Sequence, residues 1–395
     1  MTERADLIVV GGGIHGCGVA QAAAAAGHEV LLLERTALAA GTSSRSSKLI
    51  HGGLRYLEQF EFGLVRECLT ERSLLLALAP DLVRLRSFNI PVYSDTSRRP
   101  LTVRAGLMLY SLLGGLRPAT RFSSLPREQW RNLDGLSTRG LRAVFRYRDA
   151  QTDDRLLTRA VMASARSLGA ELACPAEFVG AALHGDGVAV RYRLNGTERE
   201  ASARVLVNAA GPWVQRVLDR VRPAPPRRRV ELVRGTHVWL DHELEHGIYY
   251  AESPDDRRPV FVMSNGGRTL VGTTEVPFHG DPDRVAPTDE ECGYLYRVLE
   301  RYFPALAALP AADRYAGLRV LPAGREPANR RSRETLLVAD RPRRPRLLSI
   351  YGGKLTSYRA TAEKVLARLG SSLPERRRRA LTSRLKLSVP ENNDD

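Results

Sequence analysis

The sequence predicts an α/β fold in which a parallel, glycine-punctuated sheet is interrupted by an antiparallel insert. Short apolar runs ending in glycine recur early (DLIVV, residues 6–10, before three glycines), midway (RVLVNAAGPW, 204–213) and late (LLSIYGG, 347–353). That is the composition of buried parallel strands feeding tight turns. Residues 230–274 change character: VELVRGTHVWLD, GIYYAE and PVFVMSNGGRTLVGTT read as antiparallel strands, with Asn265-Gly266-Gly267 at a turn.

In chain order, the alanine-rich stretch after Gly13 is a helix that closes at Gly27, and HEVLLLE (28–34) is a second strand ending in an acid. The first 34 residues thus form a β-turn-α-β unit with glycines at its first turn. A helical period runs from Arg66 to Pro80, whereas 85–147, broken by Pro91, Pro100, Pro118 and Pro126, gives no clear period. From Asp153 a second unit appears, with helix DRLLTRAVMASARSLG, strand AELAC and a hairpin VAVRYRLNGTEREASA that turns at Asn195-Gly196. Residues 288–303 are helical, YAGLRVLP (315–322) returns to the parallel-strand style, and a helix spans Thr356 to Leu369. The basic run Arg376–Arg379 and the acidic end read as a solvated tail.

A chain of 395 residues suits two interwoven domains, and 43% hydrophobic with 26% charged residues is ordinary for a globular protein. The net charge of +16 is not ordinary, and it admits nucleic acid, an anionic membrane surface or anionic substrates. Nearly all of the excess is arginine scattered through every segment, and no RNA motif or aromatic-interleaved basic strip accompanies it, so no nucleic-acid partner is expected. Lysine occurs only at Lys48, Lys354, Lys364 and Lys386. Where arginine is the habitual choice, a lysine in a glycine- or serine-rich loop marks a place for a compact ammonium. Cys17, Cys68, Cys174 and Cys292 are far apart without CxxC spacing, which argues against a disulfide framework or a metal site. There is no signal-like N-terminus and no apolar run of the ~18–20 residues that a spanning helix needs. The expectation is a cytoplasmic protein, with room for peripheral contact at the inner face of the cell membrane.

Gly11-Gly12-Gly13-Ile14-His15-Gly16 fits G-x-G-x-x-G between a strand and a helix, and Glu34 follows 18 residues after Gly16 at the end of the second strand. Gly11 permits the tight turn, Gly13 admits a pyrophosphate, and Gly16 packs helix on strand. The helix start at Ile14 and His15 offers amides, and Glu34 accepts from ribose hydroxyls. An acid there favours an unphosphorylated ribose, hence FAD or NAD, and the fingerprint does not choose between them.

The choice comes from a resemblance. GGGIHGCGVA, GTSSRSSKLIHGGLRYLE, VNAAGPWV, RGTHV, VGTTE, YAGLRVL and YGGKLTSYR, spread over residues 5–370, resemble the successive motifs of FAD-dependent glycerol-3-phosphate dehydrogenases. These belong to the D-amino-acid-oxidase-like FAD superfamily. The resemblance implies a Rossmann-like, glutathione-reductase-like FAD-binding domain (1–84, 148–222 and 312–371), an inserted antiparallel-sheet substrate domain (85–147 and 223–311) and a tail (372–395). It also implies a short form without the family's C-terminal helical domain. FAD would be held non-covalently. Arg35 would stand with the fingerprint residues. The loop Thr42, Ser43, Ser44, Ser47, Lys48 and Leu49 would meet diphosphate and isoalloxazine, and His51, Gly52 and Gly53 would pass the ring. Phe178, Ala210, Gly211, Trp213 and Gly317 would complete one wall. Gly353, Lys354, Leu355 and Thr356 would complete the other, at a helix start that favours the electron-rich end of a reduced flavin.

The implied reaction oxidises sn-glycerol 3-phosphate to dihydroxyacetone phosphate by hydride transfer from C2 to flavin N5, with electrons leaving to a quinone or other acceptor. Arg55, Arg319 and Lys354 would bind the phosphate and polarise the nascent alkoxide, with Tyr56, Thr274 and Arg333 lining the substrate space. His51 and His237 are the candidate bases. Two alternatives stay open within flavoenzymes: an oxidoreductase of another 2-hydroxy acid, polyol or amine, and an oxidase using dioxygen. A flavin-containing nucleic-acid-associated protein is the alternative from another class.

Overall fold

The structure is a computed structural model that describes residues 3–324 and 334–390. Leu7–Val10 lies inside a six-stranded sheet of order Leu336–Ala339, Leu347–Tyr351, Val205–Asn208, Leu7–Val10, Val30–Leu33, Glu171–Ala173. All neighbours pair parallel except the edge strand Leu336–Ala339. Alternate side chains of Leu7–Val10 serve two cores, as the two-residue period of a strand dictates. Leu7 and Val9 face a helical layer, while Ile8 and Val10 face a second, five-stranded sheet built around Ala176–His184 and Gly187–Leu194.

The helical layer centres on Ile14–Ala26, flanked by Asp154–Ser167 and Tyr358–Leu369. Alanine at most of its positions lets both neighbours approach closely, and Gly18 lies directly against the Tyr358 ring. Gly27 ends this helix at φ +98°, the left-handed cap that glycine supplies without strain. The Asn195-Gly196 hairpin forms as expected: both residues have positive φ, and Leu194 pairs with Thr197. The turn at 265–267 forms equally, with Asn265 pairing Arg268 around Gly266 and Gly267.

The antiparallel region is a ten-stranded sheet, antiparallel except where Ile248–Glu252 pairs parallel with Val83–Tyr93. Val230–Leu240 pairs with Arg268–Gly272, Val276–Phe278 and, over most of its length, Asp313–Pro322. One face packs on helix Asp289–Tyr302, and the other on helices Phe62–Leu78 and Pro100–Leu113. Three segments differ from the sequence reading. YAGLRVLP sits in this antiparallel sheet rather than beside the parallel strands, because an apolar run reports burial and carries no strand direction. Within 85–147 the long strands Val83–Tyr93 and Leu141–Thr152 pair with each other. The expected solvated tail is docked over residues 376–387. Arg376 donates to both oxygens of Asp6 at 3.0 Å, the amides of Arg379 and Ala380 donate to the Ala25 carbonyl, and Leu387 is buried. Helix Ile14–Ala26 has no basic residue in its last turn, so its terminal carbonyls gain donors from this segment. Among the described residues no helix is long and apolar enough to cross a membrane.

Candidate active site

A cavity of about 580 Å³ runs from the C-terminal ends of the parallel strands to the antiparallel sheet. At one end are Gly11, Gly13, Ile14 and His15. Gly11 has φ +110°, and a Cβ there would fall 2.7 Å from the Ala209 carbonyl oxygen. A Cβ on Gly16 would fall 1.9 Å from the Gly11 carbonyl oxygen, so its role is packing beneath the turn and it does not line the cavity. The Ser43 hydroxyl accepts from the Ile14 amide at 2.9 Å. Glu34 lines the wall while accepting from the Gly12 amide at 2.7 Å and the Thr36 amide at 2.8 Å. Arg35 lies over the Trp213 ring at 5.2 Å.

The loop after the first unit divides its labour. Thr42, Ser43, Ser47 and Leu49 line the cavity. Thr42 donates to the Leu318 carbonyl at 2.7 Å, and Ser47 Oγ is 2.9 Å from His237 Nε2. Ser44 only bonds back to the Gly41 carbonyl at 3.3 Å, and it lies outside the lining. Lys48, expected at the diphosphate, points elsewhere: its ammonium pairs with Asp154 Oδ1 at 2.5 Å. Asp154 is fully buried at a helix start, where its carboxylate needs a counter-charge. Gly52 and Gly53 also lie off the cavity. A Cβ on Gly52 would meet the Tyr110 hydroxyl at 2.4 Å and one on Gly53 the Tyr56 ring at 2.2 Å, so the pair serves protein packing rather than close approach to a flavin ring.

At the far end the cavity is lined by His51, Tyr56, His237, Arg319 and Lys354. Lys354 Nζ stands 3.9 Å from the centroid of the Tyr56 ring, is shielded from solvent, and has no hydrogen-bond partner among the described residues. Arg319 donates to the Thr274 carbonyl at 2.9 Å and to Glu275 Oε1 at 3.3 Å. Thr356 Oγ1 accepts from the His51 amide at 3.1 Å and fastens that backbone. Burial depresses His51 to about 4, assisted by the charges of Lys354, Arg55 and Arg72 against the opposing Asp149. Burial, then Arg319 and Lys48, depress His237 to about 3, and burial alone takes His15 to about 4. All three imidazoles are therefore neutral at pH 7.

Phe178, Ala210, Gly211, Trp213, Gly317, Gly353 and Leu355 line the walls as expected. Arg55 does not: half-buried, it lies over the Tyr56 ring at 5.9 Å, outside the lining. Thr274 is also structural, buried with its hydroxyl donating to Glu291 Oε1 at 2.6 Å, and its neighbour Thr273 faces the cavity instead. Arg333 falls outside the described residues. The sequence reading missed Arg45, Thr273, Arg216, Arg220 and Asp283 on the lining. Asp283 sits in a GDPD stretch that reads as nothing more than a turn.

These features fit FAD. The glycine cradle and a helix start with no acidic residue in its first turn suit a diphosphate, the Glu34 end suits a ribose, and the orphaned Lys354 ammonium suits negative charge at the opposite end. Residues 6–359 match the family DAO, described as FAD dependent oxidoreductase, and the chain belongs to it. It is an FAD-dependent oxidoreductase. Its relatives include the glycerol-3-phosphate dehydrogenase of Pseudomonas aeruginosa, 39% identical over 93% of this chain and 72% of that protein. The D-erythritol 1-phosphate dehydrogenase of Brucella abortus is 36% identical over 94% of this chain and 75% of that protein. The glycerol-3-phosphate dehydrogenase of Bacillus halodurans, solved with FAD, superposes with a TM-score of 0.74 at 25% identity, covering 98% of this chain and 68% of that one.

Proposed function

We propose that the protein oxidises sn-glycerol 3-phosphate to dihydroxyacetone phosphate and passes the electrons to a quinone or another acceptor. The observation that carries this reading is the Lys354 ammonium, set over Tyr56 at the cavity's far end and left without a hydrogen-bond partner among the described residues. A buried ammonium in that state is poised for an anion, and a phosphate supplies one. FAD, when bound, supplies the hydride acceptor. Lys354 and Arg319 hold the phosphate and stabilise charge building on the C2 oxygen, and Arg55 adds positive potential from behind Tyr56. His51 takes the hydroxyl proton: its ring is neutral at pH 7 and makes no hydrogen bond among the described residues, whereas His237 is already engaged with Ser47. Thr356 keeps His51 in place.

A second reading, a four-carbon polyol phosphate, is favoured by the likeness to D-erythritol 1-phosphate dehydrogenase. Anaerobic mixing of the flavoprotein with each phosphate and with free glycerol separates the readings. The first predicts fastest loss of flavin absorbance with sn-glycerol 3-phosphate. Faster loss with D-erythritol 1-phosphate selects the second. An oxidase would instead release peroxide in air.

Peripheral contact with an anionic membrane is part of the same proposal. Phe60, Leu101, Met108, Leu112 and Leu116 are more than half exposed along and beside helix Pro100–Leu113, and the exposed Arg99, Arg104, Arg117 and Arg121 flank them. Apolar insertion backed by arginine is the chemistry of an interfacial helix. Leu101→Asp with Met108→Asp is expected to abolish co-sedimentation with vesicles containing phosphatidylglycerol. Undiminished sedimentation removes this surface from the account.

A further inference from the structure

Between strand Val276–Phe278 and helix Asp289–Tyr302 the chain leaves the antiparallel sheet and crosses to the nucleotide-binding end of the cavity. Pro282, Asp283 and Val285 line the cavity there, together with Leu33, Glu34 and Arg35. The segment is fixed through one carboxylate. Asp283 Oδ1 accepts from Arg35 at 2.6 Å and from Trp213 Nε1 at 2.9 Å, while Oδ2 accepts from Arg216 at 2.7 Å. Arg216 also reaches Asp281 at 2.5 Å, and Asp281 in turn accepts from the Asp283 amide at 2.9 Å, holding the turn in shape. Arg35 and Asp283 are 248 residues apart in sequence, so the contact joins the end of the second parallel strand to a piece of the other sheet.

We propose that residues 281–285 are the closing wall of the adenosine half of the FAD site, and that Asp283, by bridging Arg35, Trp213 and Arg216, sets how fast FAD leaves. The proposal rests on the reading that Glu34 marks the ribose. The chemistry suits that half of the cofactor: Pro282 and Val285 offer apolar surface to a purine, and the Arg35–Trp213 stack borders the same space. Arg35 and Arg216 are about half exposed and Asp283 about a third, and a single ion pair in such a setting contributes little. Three donors converging on one carboxylate differ, because opening the wall breaks all of them together. Since the latch is electrostatic and reaches solvent, salt weakens it.

FAD release from the holoenzyme is read by the rise in flavin fluorescence after dilution, at low and high sodium chloride. Asp283→Asn is expected to release FAD roughly tenfold faster at low salt and to lose most of the salt dependence. Asp283→Glu is expected to restore slow release, and amide hydrogen exchange in 279–287 is expected to rise in Asp283→Asn alone. If Asp283→Asn does not fold, Arg216→Gln carries the same prediction. Wild-type release rates and salt response in these variants would overturn the wall. Equilibrium FAD affinity of Glu34→Ala separates the two levels. Weakened affinity there, with no effect at Asp283, rejects the wall and keeps the site. Unchanged affinity rejects the placement of the adenosine, and the wall with it.

Discussion

Lys354 carries the heaviest chemical load of any single residue. Its ammonium is withdrawn from water, rests on the Tyr56 ring and has no carboxylate partner among the described residues. Replacing it by methionine preserves the stem and removes the charge. The expected result is a KM for the phosphorylated substrate raised by ~30–100-fold, the equivalent of about 2–3 kcal/mol for a charge-assisted hydrogen bond. An unaltered KM would take Lys354 out of the substrate end. The histidines make a prediction of opposite kind. His15, His51 and His237 are held below their ordinary value of 6.5, at about 4, 4 and 3, chiefly by burial. Between those values and 6.5 the unfolded chain binds more protons than the folded one, so stability falls as pH drops through that window and levels off below it. The thermal midpoint of the protein is expected to decline from pH 6.5 towards pH 4. His237→Gln, at the lowest of the three, should flatten part of that decline, and an identical slope would contradict the assignment.

At the scale of elements, the glycine turn and the helix it opens do most to shape the cofactor end. Gly16→Ala places a Cβ 1.9 Å from the Gly11 carbonyl oxygen, a backbone atom that cannot yield without moving the turn itself. Purified Gly16→Ala protein is expected to lose bound FAD, which the ratio of flavin absorbance to protein absorbance measures. Stoichiometric FAD would show that the turn can shift. This unit was fully legible in the sequence, because its strand, glycines, helix and acid are local and each has its own residue signature. Strands Val83–Tyr93 and Leu141–Thr152 were not. Arginines at 84, 86, 142, 146 and 148 do alternate with apolar neighbours, but Pro91 falls inside the first run and further prolines at 100, 118 and 126 separate the two, which pair with each other across some fifty to seventy positions. Lys48 and Asp283 failed for the same reason at smaller scale. Each is defined by a partner distant in sequence, Asp154 for one and Arg35 with Arg216 for the other. Lys354 stands out by the same signal as Lys48, a lysine in a chain that otherwise chooses arginine, so that signal marks a shielded ammonium and not the anion that it meets.

For the whole molecule, the cavity joins the parallel and the antiparallel sheet, with Glu34, Asp283, Arg35 and Arg216 at the nucleotide end and Lys354, Arg319 and the neutral His51 and His237 at the other. A net charge of +16 reinforces the attraction of an anionic substrate to that second end. The fold alone would serve many oxidations, since a shared architecture does not choose a substrate. The choice falls to the cationic end. Its most direct test is anaerobic titration of the FAD-loaded protein with sn-glycerol 3-phosphate and with glycerol, followed by the flavin absorbance band. The band is expected to bleach readily with the phosphate and poorly with glycerol. Equal bleaching with both, or none with any phosphorylated polyol, would contradict the account.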